Sequence, residues 1–184
     1  VKVRGKIDRV DVMEKGGKNY VRIVDYKTGK KEFRLSDILY GLNMQMLLYI
    51  TAICKGSKYK NVVPAGILYM PSSTSSVSVE KNTKMEKIES EYMKNLRMNG
   101  LILDDPIVIN GMEEEAKGIF IPVALKDGKP AKSESICSLV EMGKLSKYAE
   151  SLIEQMAMEL HSGNIEKTPI SGEYDSCKWC NYSS

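Results

Sequence analysis

The first part of the chain alternates between apolar and polar positions, which is the two-residue period of a half-buried strand. The alternation runs over residues 1–12 and resumes over residues 20–26, and residues 14–19 between them include two glycines. Two β-rich runs joined by a short glycine-containing segment predict an antiparallel hairpin over residues 1–27.

Helical and extended patterns alternate after the hairpin. An extended piece around Phe33 is followed by a single predicted helix, which Ser36 or Asp37 is expected to cap and which continues to about Cys54. The remaining predictions are a strand at Val62–Met70, a connection at Pro71–Ser78, an amphipathic helix at Lys84–Met98, a strand at Gly118–Leu125, a turn at Asp127–Pro130 and a final helix over 138–161. Strands separated by helices predict an α/β fold with a central mixed sheet, in a single domain over 1–184.

Composition narrows the class of protein. Apolar residues make up 42% and charged residues 28%, which is typical of a globular chain and excludes a disordered one. A net charge of +3 points only weakly to nucleic acid, and no apolar run is long enough to span a membrane. Four unevenly spaced cysteines favour a reducing, cytoplasmic location. The absence of an initiator Met and of a signal peptide suggests a piece of a larger protein.

A carboxylate and an amine stand two residues apart in the sequence Asp25-Tyr26-Lys27-Thr28-Gly29. Alternate residues of a strand share a face, so Asp25 and Lys27 are expected to point the same way. A carboxylate can hold a divalent cation, while an ammonium can position an attacking water and offset developing charge, and together they suit phosphodiester hydrolysis. A surface ion pair is the alternative interpretation of the same spacing.

Asp8 lies on the predicted first strand, and a hairpin can bring it beside Asp25. Two carboxylates would then converge on one cation, and Mg²⁺ favours oxygen ligands. A salt bridge of Asp8 with Arg9 or Lys6 is equally compatible with the sequence. Asp11 could reach the metal region or simply end the strand.

Gln45 and Tyr49 are four residues apart on the predicted helix and therefore share a face. An amide and a phenol so placed can orient a nucleotide or a water molecule. A buried amide satisfied by the backbone is the alternative.

Three motifs over residues 5–49 resemble a known family. The order Gly-x-Ile-Asp, Asp-Tyr-Lys-Thr-Gly and Gln-x-x-x-Tyr is similar to the RecB-like branch of the PD-(D/E)XK nuclease superfamily, and within it to the nuclease domains of the AddB type. The resemblance implies a restriction-endonuclease-like α/β fold, with a central mixed β-sheet flanked by helices. The roles it implies are ligation of Mg²⁺ or Mn²⁺ by Asp8, Asp25 and the Tyr26 carbonyl, catalysis by Lys27, and accessory functions for Gln45 and Tyr49.

The family usually carries a further metal-binding histidine on a helix before the first strand, and this chain starts too late to include it. His161 is the single histidine and is expected to face solvent near the end of the final helix. We therefore do not assign the metal-binding role to it.

Cys177 and Cys180 form a Cys-x-x-Cys pair, a spacing that directs two thiolates to one centre. Alone, such a pair could bind zinc, act in redox exchange or have no function. The resemblance implies that residues 174–184 are part of a 4Fe-4S cluster tail, with these two cysteines among four ligands and the last one beyond Ser184. Cys54 and Cys137 are expected to be ordinary buried thiols, with recruitment of either one as a cluster ligand as the alternative.

The function that the residues and the resemblance imply together is metal-dependent hydrolysis of DNA during recombinational repair of double-strand breaks. The resemblance implies single strands from broken duplex ends as substrate, and a helicase of the AddA type as partner. A stand-alone RecB-like exonuclease of the CRISPR-associated type and a non-catalytic DNA-binding scaffold are the alternatives. A zinc-stabilised interaction domain rests only on the Cys-x-x-Cys pair.

Overall fold

The computed structural model describes residues 2–29, 31–56, 59–73, 76–166, 177 and 180–181. Its strands and helices, in chain order, are β1 (Arg9–Lys15), β2 (Lys18–Lys27), α1 (Leu35–Leu39), α2 (Gln45–Gly56), β3 (Val62–Pro71), α3 (Met85–Asn95), β4 (Asn99–Leu103), α4 (Pro106–Met112), a 3₁₀ turn (Glu114–Ala116), β5 (Leu125–Lys126), β6 (Lys129–Pro130), β7 (Ile136–Cys137) and α5 (Leu139–His161). No helix in these ranges combines the length and the apolar character needed to cross a membrane.

The predicted hairpin is confirmed, with a shorter first strand than the alternation suggested. β1 and β2 are antiparallel, and their register pairs Arg9 with Val24 and Lys15 with Lys18. Residues 2–7 form no strand and Asp8 lies in a bend, so the strand predicted from residue 1 begins only at Arg9. The alternating pattern of this leading segment therefore predicted an extended backbone, but it could not show whether another strand pairs with it.

Five strands form a mixed sheet in the order β1-β2-β3-β4-β7. β2 is parallel to β3, β3 is antiparallel to β4, and β4 is parallel to β7. The carboxyl ends of β2 and β3 therefore lie at the same sheet edge as the first residues of β4 and β7. The predicted α/β architecture with a central mixed sheet is confirmed.

Each face of the sheet is covered by a separate apolar core. One core packs α1, α2 and α5 on residues such as Val21, Ile23 and Ile67. The other packs α4 and the segment after it on residues such as Leu68 and Ile102. Burial of large aliphatic side chains on both faces supplies the main driving force for this layered arrangement.

The single helix predicted from Ser36 or Asp37 to Cys54 is wrong, because residues 40–44 interrupt it. Gly41 and Asn43 have positive φ angles of 74° and 55°, which end α1 before α2 begins. Asp37 does not cap the helix but lies inside α1, where its carboxylate accepts a hydrogen bond from the Asn43 amide. Ser36 is also inside α1, and the N-cap position is Arg34.

The strand predicted at Gly118–Leu125 is also wrong, and Glu113 supplies the reason. Its buried carboxylate accepts backbone N–H groups from Ile119 at 2.9 Å, Phe120 at 2.7 Å and Ile121 at 3.2 Å. Burial favours the neutral acid, but these hydrogen bonds outweigh it and lower the pKa of Glu113. Donors that a strand would offer to a neighbouring strand are therefore used by one side chain, and only β5 forms at the end of the segment.

The later predictions are largely confirmed. α3 lies within the predicted amphipathic helix and β3 matches the predicted strand with one residue added. Residues 127–128 form the turn between β5 and β6. α5 follows the predicted final helix, and its N-cap Ser138 forms a capping box with Glu141. No prediction was made for β4, α4 and β7, because their apolar runs are too short to show a period.

Candidate active site

The end of β2 places Asp25 and Lys27 on one face of the sheet. They continue the row of Val21 and Ile23, which are fully buried under α2 and α5. Asp25 is 6% exposed, and its Oδ2 atom forms an ion pair with the Lys27 ammonium. The structure thus brings the two side chains together as their spacing predicted.

Asp8 lies directly beside this pair. The hairpin register ends with Arg9 opposite Val24, and the Asp8 Oδ2 atom accepts a hydrogen bond of 3.1 Å from the backbone N–H of Tyr26. Asp8 is exposed, and Arg9 donates to Asp11 at 2.8 Å rather than to Asp8. The carboxylate of Asp8 is therefore held at the end of β2 by a backbone contact that leaves its other oxygen to solvent or ligand.

Asp11 is engaged in ion pairs away from this centre. It accepts hydrogen bonds from Arg9 Nε at 2.8 Å and from Arg22 Nη2 at 2.5 Å. Partial burial favours the neutral acid, but the two guanidinium groups outweigh it and lower the pKa of Asp11. Asp11 therefore fulfils neither expectation: it is engaged by Arg9 and Arg22 away from the metal region, and it lies inside β1 rather than at its end.

The oxygen atoms at this site suit a hard divalent cation. Asp25 provides a carboxylate from β2, and Asp8 provides a second one from the bend just before β1. Tyr26, which follows Asp25, can add only its backbone carbonyl, because its side chain lies on the opposite face near Arg9. Within the described ranges, no group of three or more His, Cys, Asp or Glu side chains converges. Mg²⁺ usually binds through one or two carboxylates and retains several waters, so a two-carboxylate set fits it.

Tyr69 forms the floor beside Lys27 and was not found from the sequence. It pairs with Asp25 across the β2–β3 ladder and is 3% exposed. The ammonium groups of Lys27 and Lys31 lie 5.4 and 5.6 Å from its ring centroid, within the range of a cation–π contact. Burial, followed by the charges of Asp25 and Asp37, raises the pKa of Tyr69 to about 12, so its ring stays neutral. Nothing in the apolar run around Tyr69 distinguishes it from a core residue.

Gln45 and Tyr49 meet at the start of α2, next to the segment that leads to Asp8. The Gln45 amide donates a hydrogen bond of 2.8 Å to the Tyr49 hydroxyl. A Cβ atom on Gly5 would clash with the Tyr49 ring where it now lies, so a larger residue at position 5 would force that ring to shift. The first and third sequence motifs are therefore packed against each other in space.

Cys177, Cys180 and His161 are exposed, whereas Cys54 and Cys137 are partly or fully buried. Cys177 and Cys180 are exposed and joined by a hydrogen bond of 3.1 Å from the Cys180 N–H to the Cys177 carbonyl, while the rest of 174–184 apart from residue 181 lies outside the described residues. Cys137 is buried, and burial raises its pKa to about 12. Cys54 is half-buried, and burial raises its pKa as well. The raised pKa values disfavour the thiolate form of both cysteines. His161 is exposed in the last turn of α5, as predicted.

Comparison with protein families decides the class of this site. The model of the PD-(D/E)XK nuclease superfamily matches residues 1–184. The chain belongs to this superfamily. Its five-stranded mixed sheet and flanking helices are the restriction-endonuclease-like α/β fold, and divalent metals are the general cofactors of these nucleases.

Curated relatives with much longer chains cover almost the whole sequence. These relatives, each named as a subunit of an ATP-dependent helicase/deoxyribonuclease, are 38% identical in Thermoanaerobacter sp. strain X514, 36% in Ruminiclostridium cellulolyticum and 38% in Clostridium botulinum strain Hall. The matches cover 98%, 100% and 100% of this chain and 16%, 16% and 17% of those proteins. The chain therefore spans about a sixth of the length of these relatives.

Proposed function

We propose that this chain is the single nuclease domain of a helicase-nuclease and that it hydrolyses phosphodiester bonds in DNA with Mg²⁺ or Mn²⁺ as cofactor. The convergence of Asp8, Asp25 and Lys27 at the end of the hairpin carries the proposal. Two carboxylates and an ammonium at one sheet edge, in a chain of this superfamily, provide the groups that phosphodiester hydrolysis requires.

The cation would be held by Asp8, Asp25 and the Tyr26 carbonyl. When bound, a divalent cation at these oxygens supplies Lewis-acid stabilisation of the phosphate charge and lowers the pKa of nearby water. Asp25 is buried and Asp8 is exposed, so the first fixes the position of the site and the second leaves it open to substrate.

Lys27 would act on both the nucleophile and the developing charge. Its ammonium is held between the Asp25 carboxylate and the Tyr69 ring. A fixed donor in this position can orient an attacking water through one N–H and stabilise a phosphate oxygen through another. Because the contacts with Asp25 and Tyr69 exist before substrate binds, little reorganisation is required during the reaction.

Gln45 and Tyr49 would orient the substrate or the segment that carries Asp8. Their hydrogen bond fixes both polar groups on one side of α2, and the ring of Tyr49 packs against Gly5. Their assigned role is positioning, since they are linked to the cation site through the segment of residues 5–8.

The names of the relatives support a helicase-nuclease over a stand-alone exonuclease or a non-catalytic scaffold. We infer that the substrate is single-stranded DNA from broken duplex ends, passed on by a helicase partner of the AddA type during recombinational repair. A cytoplasmic, nucleoid-associated location follows from that role.

Cys177 and Cys180 would be two of the four ligands of a 4Fe-4S cluster in the full-length protein. Their exposure and spacing support this role, because the two residues are three positions apart in the chain and the Cys180 N–H donates to the Cys177 carbonyl. Cys54 and Cys137 are not included, since their raised pKa values disfavour the thiolate. Analysis of iron and acid-labile sulfide in the full-length protein tests this assignment, and zinc without iron would contradict it.

Removal of divalent cations should abolish cleavage of labelled single-stranded DNA by the full-length protein with its helicase partner. The expected loss is about a thousandfold or more, because the Lewis acid supplies several kcal/mol of charge stabilisation. Mg²⁺ or Mn²⁺ should restore the rate. DNA binding measured in the same samples serves as the control, and cleavage that persists in excess chelator would contradict the proposal.

A further inference from the structure

A cavity of about 710 Å³ opens directly beside Lys27 at the shared sheet edge. Lys27 at the end of β2, Pro71 at the end of β3, Asn99 at the start of β4 and Ser135 just before β7 all line it. With roughly 4.8 Å between neighbouring strands, this edge extends about 14 Å away from the candidate active site. The cavity is therefore long enough to contact more than one phosphate of an extended polynucleotide.

Basic side chains dominate the charge of this cavity. Lys27, Lys31, Lys94 and Arg97 line it, against a single acidic residue, Glu32. Glu32 forms a salt bridge of 2.9 Å with an arginine outside the cavity lining, so its charge is offset. The cavity thus carries a net positive charge next to the groups that would cleave a phosphodiester.

Two of the four cations have no acidic partner in the described part of the chain. Lys27 is paired with Asp25, and Lys94 with Glu91 at 2.6 Å. Lys31 and Arg97 form no salt bridge with any described residue. Their charges are therefore available for an anionic ligand.

Both cations are held in place by contacts that do not neutralise them. The Asn99 side-chain amide donates a hydrogen bond of 2.7 Å to the Lys31 carbonyl and accepts one of 2.8 Å from the Phe33 N–H. These two hydrogen bonds fix the segment that carries Lys31. The Lys31 ammonium lies over the Tyr69 ring. Arg97 donates a hydrogen bond from Nε to the Ile121 carbonyl at 3.1 Å, and its two terminal nitrogens form no hydrogen bond with the described residues.

We propose that this cavity binds the sugar-phosphate backbone of the DNA strand next to the scissile phosphate, with Lys31 and Arg97 as its phosphate-binding residues. This inference rests on the proposed nuclease function. The one aromatic ring in the cavity, Tyr69, is 3% exposed and cannot stack on a base. Contacts with phosphates fix the register of a strand without reading its sequence, so recognition here is independent of base identity.

The double variant Lys31→Gln/Arg97→Gln tests the proposal in the full-length protein. Binding of a labelled oligothymidylate is measured at several salt concentrations in an Asp25→Asn background, where no cleavage occurs. Loss of two phosphate contacts should weaken binding about tenfold and reduce the slope of log Kd against log salt by about 1.4. In the active protein the effect should appear mainly in KM and less in kcat.

The matched control is Lys144→Gln/Lys147→Gln, which removes two charges from α5 outside the cavity. A control that loses as much affinity and slope as the cavity variant would overturn the proposal, since a general effect of net charge would then explain both. An unchanged slope in the cavity variant would also overturn it. If the wild-type protein binds the oligonucleotide but cleaves no DNA, the nuclease function fails, while the slopes still decide the role of the cavity.

Discussion

Replacement of Lys27 by Ala in the full-length protein is expected to lower the rate of DNA cleavage by about a thousandfold at saturating cation. The ammonium is fixed between Asp25 and the Tyr69 ring, and no other cation in the described residues pairs with Asp25. The variant should still fold, because the Lys27 side chain is 27% exposed and lies at the end of its strand. Single-turnover cleavage and thermal unfolding measure the two effects separately.

Lys18→Ala provides the matched control for this prediction. Lys18 is exposed at the opposite end of the same strand, so its replacement removes the same charge and the same side chain away from the site. Its cleavage rate should stay within about twofold of wild type, as expected for a surface substitution. Lys27→Ala protein that cleaves DNA at the wild-type rate would exclude a catalytic role for Lys27.

Replacement of Glu113 by Gln is expected to have the largest effect on stability among the polar substitutions considered. Its carboxylate accepts the backbone N–H groups of Ile119, Phe120 and Ile121, and an amide would direct an N–H group at some of these donors. Loss of hydrogen bonds to a buried charged group costs about 3 kcal/mol in total. Hydrogen exchange at residues 119–121 should therefore become roughly a hundredfold faster.

The effect of Glu113→Gln should also depend on pH. The folded-state pKa of Glu113 lies below its ordinary value of 4.5, so its stabilisation is complete above that value and is lost as the pH falls through the folded pKa. The ratio of exchange rates between variant and wild type should shrink accordingly in acid. Glu114→Gln, at the exposed neighbouring position, should leave exchange unchanged. Equal protection in the Glu113→Gln protein would show that the carboxylate does not hold this segment.

Local signals in the sequence predicted the parts of the fold that local interactions determine. The alternation on either side of Gly16 and Gly17 predicted the hairpin, and the final helix was recognised from its own period. The interruption of the predicted helix over 36–54 was signalled by Gly41 and Asn43, but their left-handed conformations became evident only in the structure. The segment after Glu113 gave no such signal, since an apolar run cannot show that its N–H groups bond to a distant carboxylate.

The candidate site likewise contains residues that the sequence could predict and residues that it could not. Asp8, Asp25 and Lys27 could be predicted because the hairpin joins them through a short turn, and the structure places them together. Tyr69 and Arg97 reach the site through β3 and the start of β4, and their positions depend on the strand order of the whole sheet. Tertiary arrangement of this kind leaves no local pattern in the sequence.

Mn²⁺ binding to nucleotide-free, full-length protein, measured by electron paramagnetic resonance alongside DNA cleavage, tests the central claim most directly. Asp25→Asn should weaken Mn²⁺ binding at least ~10- to 100-fold, because that is the cost of losing a residue that contacts only a ligand of the metal. Cleavage should be lost together with Mn²⁺ binding. Asp11→Asn is the matched control, because Asp11 belongs to the same hairpin but is engaged by Arg9 and Arg22, and it should retain Mn²⁺ binding. Wild-type Mn²⁺ affinity and cleavage in the Asp25→Asn protein would contradict the assignment of this site.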